Sequence, residues 1–152
     1  MGTSSTFGTS NSHVKYNIKI NQNSQSIDGN YSNVSVWVDF WRDNSGYTTY
    51  GSGTCYCKIN GTTYSASVSP SQKITSSGIT LYSQTLNIYH ENDGSKNLSV
   101  SSWISMDTPL SSSEQGFSEW LTTIPRASTI SSISGNTFGS SVTVNISRAS
   151  SS

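Results

Sequence analysis

The pair Asn60-Gly61, set between two runs of alternating residues, constrains the fold more than any other feature of the chain. Asn-Gly in a two-residue loop selects a type I′ turn, whose central residues both need positive φ and whose twist matches that of antiparallel strands. A hairpin over residues 55–68 follows. Its register places Ile59 opposite Thr62, Cys57 opposite Tyr64 and Cys55 opposite Ala66 on the core side, with Tyr56 and Lys58 outward. The chain's two cysteines therefore share one strand face at i and i+2, where a disulfide would be strained, and they read as buried thiols.

The same period of two recurs elsewhere. Val14, Tyr16, Ile18 and Ile20 alternate with polar residues, and after the Asp28-Gly29-Asn30 turn so do Val34, Val36, Val38 and Phe40. Residues 85–91 and 96–106 read as a further hairpin across Asn92-Asp93-Gly94-Ser95, with Leu86, Ile88, Leu98, Val100, Ile104 and Met106 facing in. Residues 111–116 read as a polar loop and residues 117–124 as the closing strand. No segment carries apolar residues at helical spacing over a helical length. The expectation is an all-β protein: a two-sheet β-sandwich of immunoglobulin-like or jelly-roll type over residues 14–125, after a flexible leader at 1–13.

A second module is expected to start and not finish. Pro125 lacks the N-H that a paired strand needs. Residues 126–152 then read as a linker and the start of an incomplete β module, with candidate strands at 129–133 and 142–146 against the three or more that an independent sheet requires. This points to the N-terminal part of a longer chain of β modules.

Composition removes several function classes. Charged residues make up 11% of the chain, against roughly a quarter in an average soluble domain, and eight basic residues balance eight acidic ones. No field steers nucleic acid or anionic lipid, so neither a nucleic acid nor a membrane is expected as a partner. About a third of the residues are Ser or Thr. The 4 Trp, 8 Tyr and 4 Phe supply the area for a core. No run has the length of a membrane span, and residues 1–12 carry neither the charged nor the apolar part of an export signal.

The segment Ile88-Tyr89-His90-Glu91-Asn92-Asp93-Gly94-Ser95-Lys96-Asn97-Leu98-Ser99-Val100, followed by Leu121-Thr122-Thr123-Ile124-Pro125-Arg126-Ala127-Ser128, resembles the YHNxDGSK and LTTIPRAS pattern of tail proteins from siphoviruses that infect Gram-positive bacteria. Tyr50-Gly51-Ser52-Gly53-Thr54 and Ser69-Pro70-Ser71-Gln72 are similar to the N-terminal module of that family. The resemblance implies a tail-borne virion component, made in the host cytoplasm without a signal peptide and extracellular after release. Its implied partners are other virion tail proteins, host cell-wall glycan, and copies of itself in a homo-oligomer. It implies no catalytic residues. His90, Asn92 and Asp93 read as turn-building residues, and with His13 the only other histidine there is no two-His metal site.

One constellation points to ligand binding. Trp37, Asp39 and Trp41 lie on the strand face opposite Val36, Val38 and Phe40, with Tyr47 and Tyr50 shortly after. Sugar C-H faces stack on aromatic rings and sugar hydroxyls bond to carboxylates, and rings four residues apart on a strand stand about 13 Å from each other. A competing reading buries these rings against the leader, another subunit or the other sheet. No nucleophile elbow, phosphate loop or metal-ligand cluster is legible, so neither a catalytic role nor a cofactor is expected. The leading reading is a tail-associated structural module, and the alternative is a carbohydrate-binding module for host cell-wall polysaccharide.

Overall fold

The computed structural model describes residues 2–43 and 46–126; the strands expected at 129–133 and 142–146 lie outside the described residues. These form β1 (Gly2–Gly8), β2 (Val14–Ser26), β3 (Tyr31–Arg42), β4 (Gly53–Ile59), β5 (Thr62–Val68), β6 (Ile79–Tyr89), β7 (Asn97–Met106), β8 (Leu110–Ser111) and β9 (Gln115–Trp120). One antiparallel sheet has the order β1-β2-β3-β6, and the other runs β5-β4-β7, with β8 and β9 both pairing the far side of β7. The two sheets enclose a core, making an all-β sandwich.

Alternation decides which residues meet in that core. Tyr16, Ile18 and Ile20 oppose Phe40, Val38 and Val36 across β2 and β3, and all six are at most 1% exposed. The second sheet contributes Cys55, Cys57, Ile59, Leu98, Val100 and Ile104. Burying each large apolar side chain contributes about 1.5–3 kcal/mol. Tyr16 stacks on Phe40 with centroids 4.9 Å apart, and its hydroxyl donates to the Ser102 carbonyl of the other sheet at 2.7 Å. The hairpin register holds pair for pair, and Asn60 at φ 52° and Gly61 at φ 86° supply the two positive values that the turn requires.

Three expectations change. Residues 2–8 of the segment expected as a flexible leader form β1, paired with β2 from Gly2↔Asn21 to Gly8↔Lys15. Their composition hides this, because the strand is held by backbone hydrogen bonds along an open edge, with Phe7 against Tyr16 as its main ring contact. The segments at 85–91 and 96–106 do not form a hairpin: β6 pairs β3 and β7 pairs β4, so the turn between them carries the chain from one sheet to the other. Local alternation is the same for a hairpin and for such an arch. The closing strand ends at Trp120, and residues 121–126 follow without a ladder.

That last segment is nevertheless held. Leu121 N donates to the Lys96 carbonyl and Ile124 N to the Gly94 carbonyl, both at 2.9 Å, while Arg126 Nη1 donates to the Ile27 carbonyl at 2.9 Å. Ile124 is fully buried. Gly94 makes this possible: its φ is +88°, and a Cβ there would lie 1.9 Å from the Ile124 carbonyl oxygen. His90 braces the same turn. A carbonyl only accepts, so His90 Nδ1 donates to Gly94 O at 2.7 Å, and in the neutral ring Nε2 accepts from the Ser32 hydroxyl at 2.7 Å. Asp93 Oδ1 accepts from both the Ser95 hydroxyl and the Ser95 N-H, which holds its carboxyl below the usual range.

Gly94→Ala is expected to destabilise the sandwich by about 1–3 kcal/mol through the strained φ and the collision with Ile124. It should also speed tryptic cleavage after Arg126. Unchanged melting and cleavage would show that the 121–126 segment is not latched.

Burial pushes the Cys55 and Cys57 thiols up to about 12 from an ordinary 9.0. Between those values the unfolded chain gives up protons that the folded chain keeps, so stability should fall as pH rises from 9 towards 12. Urea melts across that range should show a shallower decline for the Cys55→Ala/Cys57→Ala variant than for the parent.

Candidate functional site

Odd-numbered residues of β3 point away from the core, and the strand pairing sets their neighbours. Lys15, Asn17 and Lys19 of β2 stand opposite Trp41, Asp39 and Trp37, and Ser83 and Thr80 of β6 flank Trp37 and Asp39 on the other side. Trp37, Asp39 and Trp41 are each half-buried on this outer face, so the structure brings these three expected residues together. Their rings are separated by one carboxylate.

A bulge on β6 shapes the site. Val38 pairs with Tyr82 and Asp39 with Thr80, leaving Leu81 as the extra residue, and Leu81 and Tyr82 are both buried in succession. The shift presents Thr80 to Asp39, whose Oδ1 accepts the Thr80 hydroxyl at 2.5 Å. Lys19 Nζ lies 3.0 Å from the other oxygen, Oδ2. Both oxygens of Asp39 are thus engaged, and the adjoining cation balances its charge.

Beside this pair is an open groove of about 450 Å³, walled by Asn17, Asp39, Trp41, Ser77, Gly78 and Thr80. Asn17 Oδ1 in that wall is buried and without a hydrogen-bond partner. Gly78 sits at φ +86°, in a turn closed by its N-H on the Thr75 carbonyl. Further along the same face, Asn23 Nδ2 donates to Asn33 Oδ1 at 3.0 Å and to Ser35 Oγ at 2.8 Å, and Asn33 Nδ2 donates to Asn87 Oδ1 at 2.9 Å. The outer face is a ladder of amides and hydroxyls with indole rings at one end and the Tyr31/Tyr89 pair, 5.2 Å between centroids, at the other.

The remaining two expected residues lie apart from the groove. Tyr47, 64% exposed, covers the Arg42 guanidinium at 5.9 Å, and Arg42 is itself buried and bonded to Thr49. Tyr50 stands 5.5 Å from Lys73 Nζ and accepts the Thr108 hydroxyl on its carbonyl. Both belong to the loop end of the sandwich. Sequence reasoning missed Lys19, Asn17, Thr80 and Gly78. Alternation places the two β2 residues outward, but their partners on β3 depend on non-local pairing, and Thr80 depends on the bulge.

Chemically, the face offers flat apolar rings, fixed donors and acceptors, and little net charge. Among the described residues no group of three or more His, Cys, Asp or Glu could hold a metal ion. The Lys19–Asp39 pair is partly exposed, so Asp39→Asn is expected to cost less than about 1 kcal/mol in a denaturant melt. A loss well above that would mean that the carboxylate secures the sheet instead of furnishing the groove.

The model of a family described as "Siphovirus protein of unknown function (DUF859)" matches residues 6–152. No curated protein and no solved structure matches the chain.

Proposed function

The chain belongs to this family of siphovirus proteins, and on that premise we propose that it is a structural module of the virion, carried on the tail. The observation that supports this most is the surface itself. Its outer faces are hydroxyl- and amide-rich, close to neutral and open, which suits a module displayed to solvent on the outside of a particle. Immunogold labelling of intact virions with antibody to residues 2–126 tests it. Tail decoration is the expected result, and label absent from purified particles would sink the reading.

A second reading has its own observation. Half-buried Trp37 and Trp41 flank Asp39, and Asp39 and Trp41 share the wall of a polar groove. We propose that this face lets the module contribute to host attachment by holding cell-wall polysaccharide. Trp37→Ala and Trp41→Ala should each weaken retention on purified walls of the propagating host by about five- to tenfold, taking aromatic contacts as the guide, while the melting point stays near that of the parent. Variants that assemble poorly yet are retained normally would assign the rings to a subunit interface.

A further inference from the structure

The opposite side of the sandwich holds a second aromatic feature, unrelated to Trp37 and Trp41. Tyr56 of β4 and Trp103 of β7 are register partners on the outer face, with rings stacked 5.1 Å apart at 11°. Trp103 is followed outward along β7 by Ser101, Ser99 and Asn97, because the even-numbered Leu98, Val100, Ser102 and Ile104 are buried. On β9 the outward residues are Gly116, Ser118 and Trp120, paired with Ser101, Ser99 and Asn97 in turn. The strand from Trp103 to Asn97 spans ~20 Å at strand rise. Trp120 closes the far end, opposite Asn97, and is 64% exposed.

Between these aromatic ends runs a groove of about 400 Å³ lined by Lys58, Ser99, Ser101, Glu114, Gly116 and Ser118. Ser101 Oγ donates to Glu114 Oε2 at 2.6 Å, which orients the carboxylate. Gly116 keeps the floor low: a Cβ there would stand 2.0 Å from the Val100 carbonyl oxygen and 2.6 Å from Ser101 Cβ. The groove therefore has hydroxyls along its floor and one cation and one anion in its lining, and the register sets it between Trp103 at one end of the strand stretch and Trp120 at the other.

We infer that this groove binds a linear, uncharged polysaccharide, with Trp103 and Trp120 stacking on sugar faces and Ser101, Glu114 and Lys58 bonding to hydroxyls between them. The length suits several consecutive sugar units. One lysine and one carboxylate in the lining, Lys58 and Glu114, favour a neutral ligand over an acidic or basic one. A second copy of the chain is a poorer occupant, since the centre of a protein interface is apolar and depleted in charge whereas this floor is polar. The inference goes beyond the first-sheet face and does not depend on it.

The test uses the full 152-residue chain, displayed multivalently, on an array of linear neutral oligosaccharides of graded length. Hexasaccharides of at least one type should be retained and the matching disaccharides not. Trp120→Ala should lower that retention by about fivefold with the melting point unchanged, since its ring is exposed. Glu114→Gln should lower it as well. Trp37→Ala and Trp41→Ala should leave it untouched, which separates this groove from the other face. Retention of no array glycan by the folded parent overturns the proposal. So does a Trp120→Ala variant that binds normally, or one whose only change is a smaller oligomer in sedimentation, which would make the groove a contact between copies.

Discussion

The buried hydrogen bond from the Tyr16 hydroxyl to the Ser102 carbonyl, 2.7 Å long, ties the two sheets at a defined position. Hydrophobic contact between sheet faces is non-directional and by itself permits sliding. A buried donor that would lose its partner on sliding does not. Tyr16 also stacks on Phe40, touches Phe7, and accepts from Gln115 Nε2, which in turn donates to the Gly8 carbonyl. One side chain thus joins β1, β2, β3, β7 and β9. Burial raises the pKa of its phenol, so it stays protonated and remains a donor.

The second organising element is the meeting of two sequence motifs that lie some thirty residues apart in the chain. The His90 to Gly94 turn carries the chain between sheets and then receives Ile124 of the 121–126 segment on its glycine. Asn30, at φ 58°, donates its side-chain amide to the His90 and Glu91 carbonyls, and Arg126 reaches Ile27 in the same turn. Residues that read separately as a turn and a joint are one packed unit. Arg126, the last described residue, is anchored to the sandwich.

With the interior organised this way, function falls to the outer faces. Each presents indole rings among hydroxyls and amides, and each groove has one lysine and one carboxylate in its lining: Lys19 and Asp39 on one side, Lys58 and Glu114 on the other. Low overall charge is therefore not merely a matter of composition. It is achieved locally at both grooves, leaving stacking and neutral hydrogen bonding as the available means of recognition.

The sequence by itself determined the strands and their faces. Alternation in Val14 to Ile20 and in Val34 to Phe40 identified the core, Asn60-Gly61 gave the hairpin register, and the same parity put Trp37, Asp39 and Trp41 outside. These are local properties, because a side chain's direction on a strand follows from its parity alone. Tertiary structure decided what parity cannot carry. Gly2 to Gly8 became a strand because β2 offered an edge, and residues 85–106 split between sheets because an arch and a hairpin share one pattern. Thr80 reached Asp39 through a bulge that breaks parity, and Trp103 met Tyr56 only because β7 chose β4 as its neighbour. Pairing between distant segments is set by the backbone hydrogen bonds and core volume of the whole sandwich, and no window of sequence contains those.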